Sequence, residues 1–128
     1  MIKKKTIYKI VFMDKPEKII EIRKNLSKKI IDKYEVTSSV PEYIEFVKKG
    51  IKKSEAIKFI MDKCKIKQEE VIAIGDGEND IEMLRFSGLG VAMGNADDYV
   101  KENADYITSS NHDDGVGKVI ERFILNDG

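Results

Sequence analysis

The sequence is poor in residues that cross-link or rigidify a small protein. Its 128 residues include one cysteine, Cys64, two prolines and no tryptophan. A single cysteine excludes an internal disulfide and a cysteine-based zinc site. A chain of this kind is expected in a reducing, cytoplasmic setting.

The sequence also lacks an excess of one charge and any long apolar run. Lys and Arg together number 23, as do Asp and Glu, so the formal net charge is zero. This balance argues against nucleic-acid binding through bulk positive charge. No stretch approaches the roughly 20 apolar residues of a membrane span, and the basic N-terminus lacks the apolar region of a signal peptide. We therefore expect neither a nucleic acid nor a membrane as partner.

The composition is typical of a folded protein whose surface carries many charged side chains. Hydrophobic residues make up 41% of the chain and charged residues 36%. The length is close to the usual size of one domain, and a chain this long can bury about two-thirds of its unfolded surface. Length and composition alone would predict one small, complete domain.

The first 49 residues predict a β-α-β-β arrangement. Strands are expected at 7–13, 34–38 and 43–47, where β-branched and aromatic residues are frequent. A helix is expected to begin with Asp14 as its cap and Pro16 in its first turn. Its apolar positions recur at helical spacing and include Ile19, Ile22, Leu26 and Ile30. Alternating polar and apolar residues on the strands favour a sheet covered on one face.

After Gly50 the pattern changes to alternating helices and strands, which indicates an α/β layer with parallel strands. Ser54 is expected to cap a helix that buries Cys64 on its apolar face. The apolar run 71–74 reads as a strand buried on both faces, and a shorter strand is expected near 90–93. We place the boundary between the β-α-β-β segment and the α/β segment near Gly50, which gives two predicted domain portions, 1–49 and 50–128.

The most informative segment is Ile74-Gly75-Asp76-Gly77-Glu78-Asn79-Asp80, at the carboxyl end of a predicted buried strand. Open α/β sheets bind ligands at this end of their strands. If a helix begins near position 78, both carboxylates and the Asn79 amide face one small volume. Oxygen ligands of this kind suit Mg²⁺, and a helix N-terminus favours a phosphate. The two glycines permit close approach of the backbone.

Several of these residues also have a plain structural interpretation. A bare Gly-Asp-Gly is more often an acidic turn before a helix than a metal site. Asn95 could line the site or simply form the Gly-Asn-Ala turn. His112 lies in the polar run 109–114 and is expected to be a solvated loop residue.

The longer context resembles a known family. The stretches G-D-G-E-N-D-I-E-M-L at 75–84, G-L-G-V-A-M-G-N-A at 88–96 and A-D-Y-I-T at 104–108 are similar to the haloacid dehalogenase (HAD) superfamily of phosphohydrolases. The best match is its Cof-type branch, whose lysine motif resembles 50–54. Residues 1–49 are similar to the closing portion of that branch's α+β cap. The resemblance implies that 50–128 forms the C-terminal half of a Rossmann-like core.

The resemblance also implies roles for individual residues. Asp76 would be the Mg²⁺ ligand, with Asp80 supporting the cation. Lys53 would neutralise the phosphoryl group and hold the nucleophilic aspartate, and Asn79 would contact the substrate phosphate. Gly77 and Asn95 are possible residues lining the site. The reaction implied is hydrolysis of small phosphorylated metabolites through an aspartyl-phosphate.

The chain departs from the family pattern in one large respect. Family members carry an apolar strand that ends in D-x-D, and this sequence contains no D-x-D. The chain therefore resembles the second part of a Cof-type phosphatase, a truncated form expected to be inactive alone. The missing neighbour would leave strand 71–74 with an open edge, through which self-association is expected.

Two other functions remain open from the sequence. One is a non-catalytic Mg²⁺-binding or interaction module derived from a HAD phosphatase. The other is a fragment of the phosphorylation domain of a P-type ATPase, which shares the G-D-G-x-N-D segment. The cap-like segment before Lys53 favours the phosphatases over the pump.

Overall fold

The computed structural model describes residues 6–126 of the chain. The fold divides into two compact units on either side of the Lys52–Lys53 bond. No helix among the described residues is both long and apolar enough to cross a membrane.

The first unit is a three-stranded antiparallel sheet with two helices. Its elements are β1 (Lys9–Met13), α1 (Pro16–Lys24), α2 (Lys28–Lys33), β2 (Tyr34–Thr37) and β3 (Tyr43–Lys48). The strand order is β1-β3-β2, with Val11 opposite Glu45 and Val36 opposite Phe46. α1 packs against β3, and Ile19 and Ile44 are the buried apolar side chains.

The helical part of this unit differs from the prediction in two places. One continuous helix was expected, but α1 ends at Lys24 and α2 begins at Lys28. Asn25 is the C-cap of α1: its backbone N–H donates to the Glu21 carbonyl oxygen at 3.2 Å, and its side-chain Nδ2 donates to the same oxygen at 2.9 Å. The expected cap, Asp14, is also displaced: Lys15 occupies the N-cap, and Asp14 accepts the Lys15 N–H instead.

The second unit is an α/β layer around a parallel sheet. Its helices are α3 (Lys53–Cys64), α4 (Ile81–Phe86), α5 (Asp98–Lys101) and α6 (Gly115–Ile120), with a π-helical turn at Glu121–Leu125. Its strands are β4 (Ile72–Gly75), β5 (Leu89–Ala92) and β6 (Tyr106–Ile107), in the order β4-β5-β6. Three 3₁₀ turns connect them, at Gln68–Glu70, Glu78–Asp80 and Asn111–Asp113. The predicted α/β class is confirmed by this parallel sheet and its flanking helices.

The core of the second unit contains many small side chains and is closely packed. Its buried cluster consists of Ala73, Ile81, Leu84, Ala92, Ala96 and Val100. α4 lies so close to β5 that a Cβ atom on Gly90 would stand 2.4 Å from the Leu84 carbonyl oxygen. Only glycine fits that contact, which fixes the height of α4 above the sheet.

The expectations for α3 were partly wrong. The helix begins at Lys53, so Ser54 lies buried in its first turn and does not cap it. Cys64 is exposed, not buried. The helix turns Ser54, Ile57 and Met61 inward, while Ile60 and Cys64 lie on its solvent side.

Candidate active site

The candidate site is built around the loop that follows β4. The chain leaves the sheet at Gly75, passes Asp76 and Gly77, and forms the 3₁₀ turn Glu78–Asp80 before α4 begins. Helical conformation thus begins at Glu78, as the sequence suggested, but its first turn is 3₁₀, so Asp80 lies in that turn and directly precedes α4. α4 has only six residues, so its contribution to an anion site is small.

The buried Asp80 carboxylate holds this loop together. Its side chain is 5% exposed. Oδ2 accepts the backbone N–H groups of Asp76 and Gly77, both at 3.1 Å. A Cβ atom on Gly75 would lie 2.5 Å from the Asp80 Cβ, so glycine is needed at the strand end to admit the carboxylate. Asp80 is thus the structural centre of the loop.

Lys53 reaches the other oxygen of the same carboxylate. Its Nζ donates to Asp80 Oδ1, and half of the lysine side chain stays exposed. Helix α3 packs against α4, which brings the start of α3 to the loop. The sequence carries no local signal for this ion pair because the partners are 27 residues apart.

Asp76 itself is exposed at the mouth of the loop. Asn95 Nδ2 donates to Asp76 Oδ2 at 3.1 Å, and Asn95 Oδ1 accepts the backbone N–H of Asn111 at 2.9 Å. Asn95 therefore joins the loops that follow β4, β5 and β6. The backbone of Asn111 is a contributor that the sequence did not single out, and the polar run 109–114 is its only signal.

The structure brings most of the predicted site residues to one loop cluster. Lys53 and Asn95 contact Asp80 and Asp76, respectively. Asn79 is half-buried in the 3₁₀ turn, and its Oδ1 lies 2.8 Å from where a Cβ on Gly77 would be. His112 is exposed in a separate 3₁₀ turn, in agreement with the prediction that it is a solvated loop residue. The chemical roles assigned to these residues stay predictions.

The donor set fits a hard cation held partly by protein and partly by other oxygen donors. Among residues 6–126, no group of three or more His, Cys, Asp and Glu side chains is placed to hold a metal. Asp76 offers an exposed carboxylate, while both oxygens of Asp80 already accept hydrogen bonds. Mg²⁺ commonly binds through one or two carboxylates and keeps several waters, so Asp76 can ligate directly and Asp80 through water.

Comparison with known proteins decides the family. Residues 1–120 match the model of the haloacid dehalogenase-like hydrolases. The chain belongs to the haloacid dehalogenase-like hydrolase family. Its resemblance to the Cof-type branch is thereby confirmed.

Individual relatives agree with this assignment. The 5-amino-6-(5-phospho-D-ribitylamino)uracil phosphatase YcsE of Bacillus subtilis is 46% identical over 109 residues, which cover 85% of this chain and 41% of YcsE. The solved structure of SMU.1108c from Streptococcus mutans is 32% identical with a TM-score of 0.84, over 92% of this chain and 45% of that one. The HAD subclass IIB sugar phosphatase BT4131 is 34% identical with a TM-score of 0.78, over 93% and 44%. The chain spans less than half the length of these relatives.

Proposed function

We propose that this chain supplies one side of a Mg²⁺-dependent phosphomonoesterase site. The supporting observation is the Asp80 carboxylate, which closes the loop after β4, holds Lys53 beside it and leaves Asp76 at the surface. The phosphatase names of the relatives favour hydrolysis over other HAD chemistry.

Each residue has a distinct task in this proposal. Asp76 binds the cation directly, and Asn95 keeps its carboxylate oriented through the hydrogen bond to Oδ2. Lys53 balances the negative charge of the phosphoryl group with its half-exposed ammonium. Asn79 contributes an amide donor to the phosphate. The bound Mg²⁺ would polarise the phosphoryl oxygens and offset their charge.

The substrate class we propose is small phosphorylated metabolites, including sugar phosphates. The printed activities of the relatives, a phosphoribityl-aminouracil phosphatase and a sugar phosphatase, support this class. We also propose a cytoplasmic location, since the one cysteine, Cys64, is exposed and unpaired.

Phosphate binding tests the proposal without requiring turnover. Inorganic phosphate is titrated into the ¹⁵N-labelled chain in the presence of Mg²⁺, and amide shifts are recorded. We expect shifts centred on 75–80, weakened in Lys53→Met and Asn79→Ala. Lys58→Met is the matched control, because Lys58 lies on the same helix and pairs with Glu55 at 2.7 Å, away from the loop. Shifts that are equally strong in Lys53→Met would contradict the proposed role of Lys53.

Activity of the isolated chain is a separate question. The sequence contains no D-x-D, so we expect no turnover of p-nitrophenyl phosphate by the pure chain. Mg²⁺-dependent turnover that disappears in Asp76→Ala would refute this expectation of inactivity, while supporting the site. Mg²⁺ binding with no phosphate binding would instead favour the non-catalytic module.

A further inference from the structure

Asp76 is followed by a glycine, and an Asp-Gly peptide is the place where an aspartate most readily modifies itself. The Gly77 nitrogen can attack the Asp76 side-chain carbon Cγ, because glycine has no Cβ atom to hinder the approach. The new N–Cγ bond closes a succinimide ring, and the carboxyl hydroxyl leaves as water with the amide proton. Water then opens the ring. Opening at the side-chain carbonyl restores aspartate, and opening at the backbone carbonyl leaves isoaspartate, so the reaction needs no partner but water.

The sequence contains this dipeptide at three places, which begin at Asp76, Asp114 and Asp127. The third lies outside the residues that the structure describes. The first two share the same chemistry but differ in the contacts that restrain them, so each serves as a reference for the other.

The loop after β4 blocks ring closure at Asp76. The backbone N–H groups of Asp76 and Gly77 both donate to one oxygen, Asp80 Oδ2, at 3.1 Å. The torsion between these two nitrogens is ψ of Asp76, and it must turn to bring the Gly77 nitrogen to Cγ. Two bonds to one atom fix that torsion. The Asp76 carboxylate is held as well, since Asn95 Nδ2 donates to its Oδ2 at 3.1 Å.

Asp114 is restrained by contacts in which Asp80 takes no part. Its carboxylate accepts the Gly117 N–H at 3.3 Å, and the Gly115 N–H donates to the Ser110 carbonyl oxygen at 3.0 Å. Gly115 is also buried. Changes at Asp80 should therefore leave this second Asp-Gly peptide untouched unless the whole unit opens.

We propose that Asp76 is a self-modification site and that the Asp80 carboxylate suppresses the reaction by holding the Gly77 N–H. A carboxylate beside an amide can in principle act the other way, as a base that speeds the attack. The geometry points to restraint, because the same oxygen holds both N–H groups and the ring cannot close until one of them is released.

The modification bears on the cation site. Isoaspartate adds a methylene group to the backbone and moves the free carboxylate onto Cα, which lengthens the loop at the residue proposed to bind Mg²⁺. This consequence rests on the proposed function. The restraint itself needs no bound cation, because its contacts lie within residues 76–80 of the chain.

Labelling with heavy water oxygen measures ring formation at each site. The pure chain is incubated at neutral pH without metal in ¹⁸O-labelled water and then digested with trypsin in ordinary water. Each ring opening adds one ¹⁸O atom, including openings that restore aspartate. Cleavage after Lys and Arg places the two sites in separate peptides, 68–85 and 102–118. Fragmentation in the mass spectrometer assigns the label to its residue.

The expected result is a local acceleration. Asp80→Ala should raise the labelling rate at Asp76 about ten-fold over wild type, the effect of losing one hydrogen bond to a charged acceptor. The rate at Asp114 should not change. Asp80→Asn can keep an acceptor oxygen and should raise the rate at Asp76 less. Gly77→Ala in the Asp80→Ala background should suppress the rise, because its methyl group hinders the attacking nitrogen; φ of Gly77 is −111°, which alanine adopts.

Gly90→Ala is the stability control, since it is expected to weaken the second unit at a contact with Leu84 and away from this loop. It should not raise labelling at Asp76 relative to Asp114. An Asp76 rate that is equal or slower in Asp80→Ala would overturn the proposal, and a slower rate would identify the carboxylate as a base. An equal rise at Asp114 would overturn it too, because the whole unit would then be opening. If Asp80→Ala does not fold, Asp80→Asn decides by the same comparison.

Discussion

Removing the Asp80 carboxylate separates the two tasks that the structure gives it. Asp80→Ala takes away the acceptor of the Asp76 and Gly77 N–H groups and the partner of Lys53. Asp80→Asn can keep an acceptor oxygen toward the two N–H groups while losing the ion pair. Lys53→Met removes the ion pair alone. The three variants therefore form a graded series.

The magnitudes follow from burial and charge. A hydrogen bond to a charged acceptor contributes about 1.5 to 3 kcal/mol. Asp76 is exposed and Gly77 is half-buried, so water can reach the freed N–H groups and the lower figure applies to each, about 3 kcal/mol together. Lys53 is half-exposed, so its pair adds at most about 1 kcal/mol. We expect losses of about 3 to 4 kcal/mol for Asp80→Ala and about 1 to 2 for Asp80→Asn.

Hydrogen exchange at the Val91 amide measures the free energy of opening of the second unit, because Val91 is fully buried in β5. Asp98→Ala, an exposed acidic position in α5, is the control and should change the free energy by less than about 0.5 kcal/mol. If Asp80→Ala costs no more than Lys53→Met, the Asp80 carboxylate does not hold the loop. If Asp80→Asn is as damaging as Asp80→Ala, the two backbone hydrogen bonds are not what Asp80 contributes beyond the ion pair.

Three further outcomes are expected. Gly90→Ala should destabilise the second unit by about 1 to 3 kcal/mol in hydrogen exchange, because its methyl group meets the α4 backbone at Leu84; an unchanged free energy would contradict that contact. Burial alone would raise the pKa of Glu45, but hydrogen bonds from Lys9 and Ser39 and the Lys9 charge lower it below its usual 4.5. The first unit should therefore keep this stabilisation above pH 4.5 and lose it as the pH falls through the lower folded pKa, and Glu45→Gln should flatten that dependence in acid unfolding followed by circular dichroism. Asn95→Ala should weaken Mn²⁺ binding about ten-fold by freeing Asp76, whereas His112→Ala should leave it unchanged.

Local sequence patterns predicted helix and strand positions well where a single local signal, such as an apolar run or a proline, determined the structure. The apolar run before Gly75 and the glycine turn after it predicted a strand followed by a loop, and β4 ends at Gly75. The Pro16 signal predicted the start of α1 to within one residue. The end of α1 was missed because the apolar pattern continues past Asn25, although α1 ends at Lys24 and a separate helix begins at Lys28.

Tertiary contacts were harder to predict than loop chemistry. The motif at 74–80 indicated that Asp76 and Asp80 share one loop, and they do. It could not indicate that Asp80 is occupied by Lys53 and two backbone donors, since that depends on how α3 packs on α4. Cys64 was wrongly predicted to be buried for a similar reason. Helical spacing shows which apolar residues share one face of α3, but the packing of the helix decides which of them are covered, and Cys64 is exposed.

Mapping of Mn²⁺ on the chain tests the central claim most directly. Mn²⁺ replaces Mg²⁺ at oxygen sites and broadens the NMR signals of nearby amides, so even weak binding is located. We expect broadening centred on residues 75–80 and reaching Asn95 and Asn111, and we expect it to be lost in Asp76→Ala. Broadening that persists in Asp76→Ala, or that centres on another acidic pair such as Asp97 and Asp98, would contradict the account.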